Sequence, residues 1–166
     1  PMTLREALRL IVFTDRRLSG PRPIESIVGS ALEAGARAIQ LRDKGASARE
    51  LLAQALLLRK LTRLHGALLF VNDRFDVALA AHADGVHLGP DDLPLAAVRQ
   101  ASPPGFLIGA STDDPEVARN LETAGADYVG CGAVFPTTTT KDAGEVIGIE
   151  GLARVVDAVE IPVVGI

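Results

Sequence analysis

Short apolar runs rich in Val, Ile, Leu and Phe alternate along this chain with longer stretches whose apolar residues recur at helical spacing. The short runs predict strands in LIVFTD ending at Asp15, AIQLR ending at Arg42, ALLFVND ending at Asp73 and GVHLG ending at Gly89. Three more follow in FLIGAS ending at Ser111, YVGCGAVF ending at Phe135, and IPVVGI. The longer stretches predict helices over 23–34, 48–65, 74–81, 93–100, 115–124 and 149–159. Ser47 and Asp114 stand where N-caps are wanted, and Pro115 suits a first helical position. Helical runs end at Gly35 and Gly125, in Ala34-Gly35-Ala36 and Ala124-Gly125-Ala126-Asp127. A similar Ala83-Asp84-Gly85 precedes the fourth strand, so one helix-to-strand turn is expected to recur.

Strands alternating with helices of this length mean parallel βαβ units. The expected fold is α/β, a (β/α)8 TIM barrel ending at its seventh strand, with residues 1–166 forming a single domain. A closed barrel has eight strands and typically about 200 or more residues, so the C-terminal βα units are expected to be missing. The competing architecture is an open doubly wound sheet, but no GxGxxG follows the first strand.

Composition narrows the function. Lys and Arg total 17 against 21 Asp and Glu, a net charge of −4, which argues against broad nucleic-acid binding. Any anion site must be a local basic cluster. Cys131 is the single cysteine, which excludes an internal disulfide and weighs against a cysteine zinc site. The start is too polar and short for a signal peptide, and no apolar run approaches the roughly 20 residues of a membrane span. A cytoplasmic protein acting on small molecules, with no membrane or nucleic-acid partner, is expected; a homo-oligomer is left open.

In a parallel barrel the site lies at the C-terminal ends of the strands, and the candidate polar residues fall there. Gln40 and Arg42 alternate onto the same side of the second strand, with Lys44 just beyond. A buried Arg needs an anion or an acidic partner. Asn72, Asp73 and Arg74 end the third strand; Asp73 could bind a metal, pair with Arg42 or cap the following helix. Asp91 and Asp92 follow the fourth strand, as metal ligands or caps. Carboxylates after neighbouring strands suit Mg²⁺, which takes hard oxygen ligands and commonly shares them with phosphate. Metal with Arg and Lys suggests a diphosphate, whose departure needs positive charge spread over its oxygens. His87 reads as a hydrogen-bonded core residue or a catalyst, Cys131 as a small core residue, and Ser111 as a turn cap or a site hydroxyl. Thr137 to Lys141 form a polar stretch suited to a binding loop.

QLRDK (Gln40 to Lys44), VNDRFDVALAAHADGVHLGPDDLP (Val71 to Pro94), IGAST (Ile108 to Thr112), GADYVGCGAVFPTTTTK (Gly125 to Lys141), TDR (Thr14 to Arg16) and IPVVGI together resemble thiamine-phosphate synthase, in order and over nearly the whole chain. The resemblance implies an Mg²⁺-dependent transferase that joins hydroxymethylpyrimidine diphosphate to thiazole phosphate, forming thiamine phosphate and diphosphate. It implies that Gln40, Arg42, Lys44 and Asn72 contact the pyrimidine diphosphate and that Asp73 and Asp92 hold Mg²⁺. Ser111 and Lys141 would face the diphosphate or the reacting centre. Thr137, with Thr139 or Thr140, would line the thiazole phosphate side. The catalytic set is then Arg42, Lys44, Ser111 and Lys141.

Three features depart from the family pattern. Lys141 comes one residue late after the threonines, Pro90 stands where Gln is common, and the chain ends before a Gly-rich phosphate turn and an eighth strand. The alternatives are a thiazole tautomerase, a non-catalytic phosphate-binding barrel, and an aldolase with Lys44 as its Schiff-base lysine. Ala133 stands where the tautomerase pattern has His, and the acidic pair suits bond cleavage better than sensing. A Schiff-base Lys44 would have to be desolvated.

Overall fold

The computed structural model describes residues 2–138 and 144–166. Two compact units are present, the first running to His87 and the second starting at Leu88. The first holds α1 (Leu4–Ala7), β1 (Ile11–Phe13), α2 (Ile24–Glu33), β2 (Ala38–Leu41), α3 (Ala48–Leu64), β3 (Leu68–Asn72), α4 (Phe75–Ala80) and β4 (Gly85–Leu88), whose last residue opens the second unit. There follow α5 (Leu95–Ala101), β5 (Leu107–Ser111), α6 (Pro115–Thr123), β6 (Tyr128–Cys131), α7 (Gly148–Val156) and β7 (Val163–Gly165).

In the first unit β1, β2, β3 and β4 pair in chain order, all parallel. In the second, β5, β6 and β7 do the same. Neither unit reverses its strand order, as the expected (β/α) barrel class requires and a doubly wound sheet does not. Strands flanked by helices bury both faces, so Ile39, Leu41, Leu69, Val71 and Val86 lose all contact with solvent. In the second unit Ala118, Val129, Cys131 and Val155 form a buried cluster with Leu152 and Val163 against it. Burial there pushes the Cys131 thiol up, so this cysteine is a core residue, as its sequence context suggests. An added Cβ at Gly109 would overlap the buried Tyr128 ring on the paired strand, so only Gly fits.

Helix boundaries follow local chemistry. Ser47 caps α3 through a reciprocal box with Glu50, and Asp114 accepts from the Glu116 and Val117 N–H groups ahead of α6, with Pro115 at its first position. The short α1 escapes the apolar periodicity because it is a single turn, yet Thr3 and Glu6 form a capping box there too. The strands are shorter than the apolar runs that predict them, most of all β6, which stops at Cys131 rather than Phe135, and then β1, which stops at Phe13 rather than Asp15, and β7, which spans only Val163–Gly165.

The recurring turn is real, but its register differs from the Ala-Asp-Gly reading. In it a residue with positive φ is followed by a buried alanine: Gly35-Ala36, Gly66-Ala67, His82-Ala83 and Gly125-Ala126. Each alanine N–H bonds back five residues, to the Ala31, Thr62, Ala78 and Leu121 carbonyls, all at 2.9 Å. This is the hydrogen bond that closes a helix through a left-handed residue. In the third copy His82 takes the left-handed place (φ 51°), while Gly85 belongs to β4.

The N-terminal ends of the strands are also more organised than their composition suggests. Asp84, just before β4, accepts from the Leu69 N–H of β3 at 2.7 Å, and its own N–H donates to the Leu69 carbonyl at 2.9 Å. Asp127, just before β6, treats Ile108 of β5 in the same way, at 2.7 and 2.8 Å. Each carboxylate is held by an arginine from an earlier helix. Arg59 donates to both Asp84 oxygens at 2.8 and 2.9 Å and to the His82 carbonyl at 2.7 Å. Arg99 pairs with Asp127 and donates to the Gly125 and Phe106 carbonyls. The partners lie 25 and 28 residues apart and only the fold brings them together.

Candidate active site

Strand β2 carries Gln40 and ends just before Arg42. Gln40 is wholly buried, and among the described residues neither atom of its side-chain amide has a hydrogen-bond partner. A buried unpaired amide costs several kcal/mol in an apolar reference and is retained where something else satisfies it. Two residues on, Arg42 is half-buried. Its backbone is fixed by Thr14, which is itself buried: the Thr14 hydroxyl accepts the Arg42 N–H at 3.0 Å and donates to the Arg42 carbonyl at 3.3 Å. No described residue pairs with the Arg42 guanidinium, so the internal salt bridge open to it in sequence is not formed among the described residues.

Beyond β2 and β3 lies a cavity of about 270 Å³ lined by Asp43, Lys44, Ala46, Leu51, Asn72, Asp73 and Arg74. Lys44, Asn72 and Asp73, read as site residues from sequence, thus share one cavity. Asp43 and Arg74 were not singled out as ligands. Arg74 is bound to Asp76 at 2.6 and 2.8 Å, which holds the Asp76 carboxyl below the usual carboxylate range. Asp43 receives Arg16 at 2.8 Å on one oxygen and the Gly45 N–H at 3.2 Å on the other. The Arg16 contact is an ion pair without hydrogen-bond alignment. Lys44 is exposed and lacks the desolvation that an imine-forming lysine needs.

Asp73 adopts a left-handed backbone (φ 63°), uncommon for a residue with a side chain. Such strain concentrates at functional positions. Asp73 does not cap α4, whose N-cap is Arg74 with no side-chain bond. Its N–H donates to the His87 carbonyl at 2.8 Å, and His87 is buried opposite Asn72 in the β3–β4 register.

In the second unit neither Asp91 nor Asp92 caps α5, which begins after Pro94 without a side-chain cap. The half-buried Asp92 folds back instead, accepting the Gly89 N–H at 2.6 Å. Ser111 ends β5 half-buried, opposite Gly130. Thr137 is exposed beyond β6. Thr139, Thr140 and Lys141 lie outside the described residues. Among the described residues no group of three or more His, Cys, Asp or Glu could hold a metal, and no helix is long and apolar enough to cross a membrane.

The family model described as thiamine monophosphate synthase matches residues 10–166. The chain belongs to the thiamine monophosphate synthase family. A thiamine-phosphate synthase from Pyrococcus horikoshii is 53% identical over 165 residues, covering 99% of this chain and 77% of that protein. One from Moorella thermoacetica is 46% identical over 157 residues, covering 95% and 75%. Among solved structures, a thiamine phosphate pyrophosphorylase from Pyrococcus furiosus superposes with a TM-score of 0.89 at 51% identity, covering 99% of this chain and 77% of that one. The family, the enzyme class and the fold class expected from the sequence agree with these relatives.

Proposed function

We propose that this family member couples hydroxymethylpyrimidine diphosphate to thiazole phosphate, releasing diphosphate and forming thiamine phosphate in the cytoplasm. The observation that carries the reading is the Gln40 amide, wholly buried, unpaired among the described residues and two residues before Arg42. A polar heteroaromatic ring with a charged tail satisfies both. Gln40 and Asn72 bind the ring, and Arg42 and Lys44 take the diphosphate oxygens. Ser111 and Lys141 serve the diphosphate or the reacting centre. Thr137, with Thr139 or Thr140, holds the thiazole phosphate.

The donor set fits Mg²⁺, which favours carboxylate and phosphate oxygens over softer ligands. Asp73 offers a half-buried carboxylate, and Asp92 keeps one oxygen beyond its bond to Gly89. These two residues would hold the ion, which spreads positive charge over the leaving diphosphate. The bond from the pyrimidine methylene carbon to the diphosphate oxygen breaks, its electron pair leaving with diphosphate, while Arg42 and Lys44 balance the charge. The thiazole nitrogen lone pair then forms the new carbon–nitrogen bond. No protein nucleophile is consumed.

The test is to follow diphosphate and thiamine phosphate with both substrates and Mg²⁺, with EDTA, and with Asp92→Ala. Product that needs both substrates, the metal and Asp92 is expected. Absence of product, with binding of a thiazole phosphate alone, would overturn the reading.

A further inference from the structure

We infer that the turn after β1 positions the anion clamp on β2, with Thr14 as the principal positioning residue and Arg16 acting through Asp43. The inference rests on the proposed reaction, in which Arg42 and Lys44 hold the diphosphate. Thr14 is the first residue past β1, where the backbone ladder with β2 ends: its N–H still donates to the Gln40 carbonyl at 3.0 Å. From there its side chain takes over. One hydroxyl satisfies both backbone groups of Arg42, at 3.0 and 3.3 Å, in a setting where Thr14 is 6% exposed. Arg42 therefore leaves β2 with its backbone pinned, and its guanidinium starts from a fixed origin.

Two residues past Thr14, Arg16 reaches the carboxylate of Asp43, the residue after Arg42, at 2.8 Å. The other Asp43 oxygen accepts the Gly45 N–H at 3.2 Å, and the Ala46 N–H donates to the Asp43 carbonyl at 3.3 Å. Asp43 thus shapes the turn that carries Lys44, and Arg16 offsets a negative charge standing beside the anion site. The Asp43 side chain is 12% exposed and that of Arg16 54%, so the pair is the weaker of the two struts.

The test reads inorganic diphosphate binding with Mg²⁺ and steady-state kinetics side by side. Thr14→Val keeps the shape and removes the hydroxyl, leaving two Arg42 backbone groups unpaired. Misplacing a clamp by a fraction of an ångström should weaken diphosphate binding and raise KM for the diphosphate substrate by about ten- to a hundredfold, with KM for thiazole phosphate little changed. Thr14→Ser should restore both. Arg16→Gln, Asp43→Asn and the double variant should each weaken diphosphate binding by a similar, smaller factor, because all three remove one contact. A Thr14→Val protein that is folded by thermal melting and binds diphosphate like the wild type would overturn the inference. So would equal rises in KM for both substrates, or Thr14→Ser failing to restore. If the wild type binds diphosphate but forms no thiamine phosphate, the proposed reaction fails while the binding arm still decides the positioning role. A wild type that does not bind diphosphate would overturn both.

Discussion

The two ends of the strands are built on opposite rules. Before β4 and β6, Asp84 and Asp127 each accept a neighbouring-strand N–H and an arginine, and Arg59 and Arg99 also reach backbone carbonyls. Towards the other end, Gln40 buries within β2 an amide that no described residue pairs, Asp73 holds a left-handed backbone just past β3, and a cavity opens beside Lys44. Satisfied buried polar networks hold a fold in one arrangement, whereas unsatisfied ones cost stability unless a ligand completes them. The first end therefore contributes stability by itself, and the second gives some up where a ligand can complete it.

The comparison can be broken most directly at Arg42. Arg42→Ala should lower kcat/KM by two to three orders of magnitude, about 3–4 kcal/mol of transition-state stabilisation, while the melting temperature stays close to wild type. A large loss of stability with little loss of activity would place Arg42 among the structural arginines. The reverse outcome is expected at the other end. Asp127→Ala leaves Arg99 and the Ile108 N–H short of a partner and should cost about 2–3 kcal/mol in denaturant unfolding. Its KM values, measured where the protein is folded, should match the wild type.

A smaller effect sharpens the contrast at Gln40. Replacing this orphaned amide by Leu should stabilise the unliganded protein by about 1 kcal/mol. The same change should raise KM for the pyrimidine substrate. A destabilised Gln40→Leu would mean that the amide has a structural task. The smallest effect concerns the caps. Ser47→Ala should cost about 1 kcal/mol by removing the α3 N-cap. Hydrogen bonds from Ser47 and Thr3 hold the Glu50 and Glu6 carboxyls below their ordinary range. A carboxyl lowered in the folded state contributes stability above its unfolded pKa and loses it as pH falls through the folded value. Stability should therefore decline on acidification below the ordinary glutamate range, and Ser47→Ala should flatten that decline.

How much of this was legible follows from range in the chain. The caps at Ser47 and Asp114 were readable because cap and helix are adjacent. Placing Gln40, Arg42, Lys44, Asn72 and Asp73 at strand ends needed only the apolar runs that precede them. The strand ends, above all those of β1, β6 and β7, fall short of the apolar runs because the apolar pattern runs past the point where pairing stops. Asp43 is not legible as a site residue in the sequence, because its role depends on Arg16, on a different loop.

The sequence by itself determined the order of elements, their parallel sense, the family and the residue types offered at the strand ends. These are set by periodicity and by neighbours within a few residues. Tertiary structure alone decided which of those groups are satisfied. Arg59 found Asp84, Arg99 found Asp127 and Thr14 found Arg42, while Gln40 found no partner among the described residues. Hydrogen bonds act over about 3 Å, and distance along the chain carries no information about which distant groups will come that close.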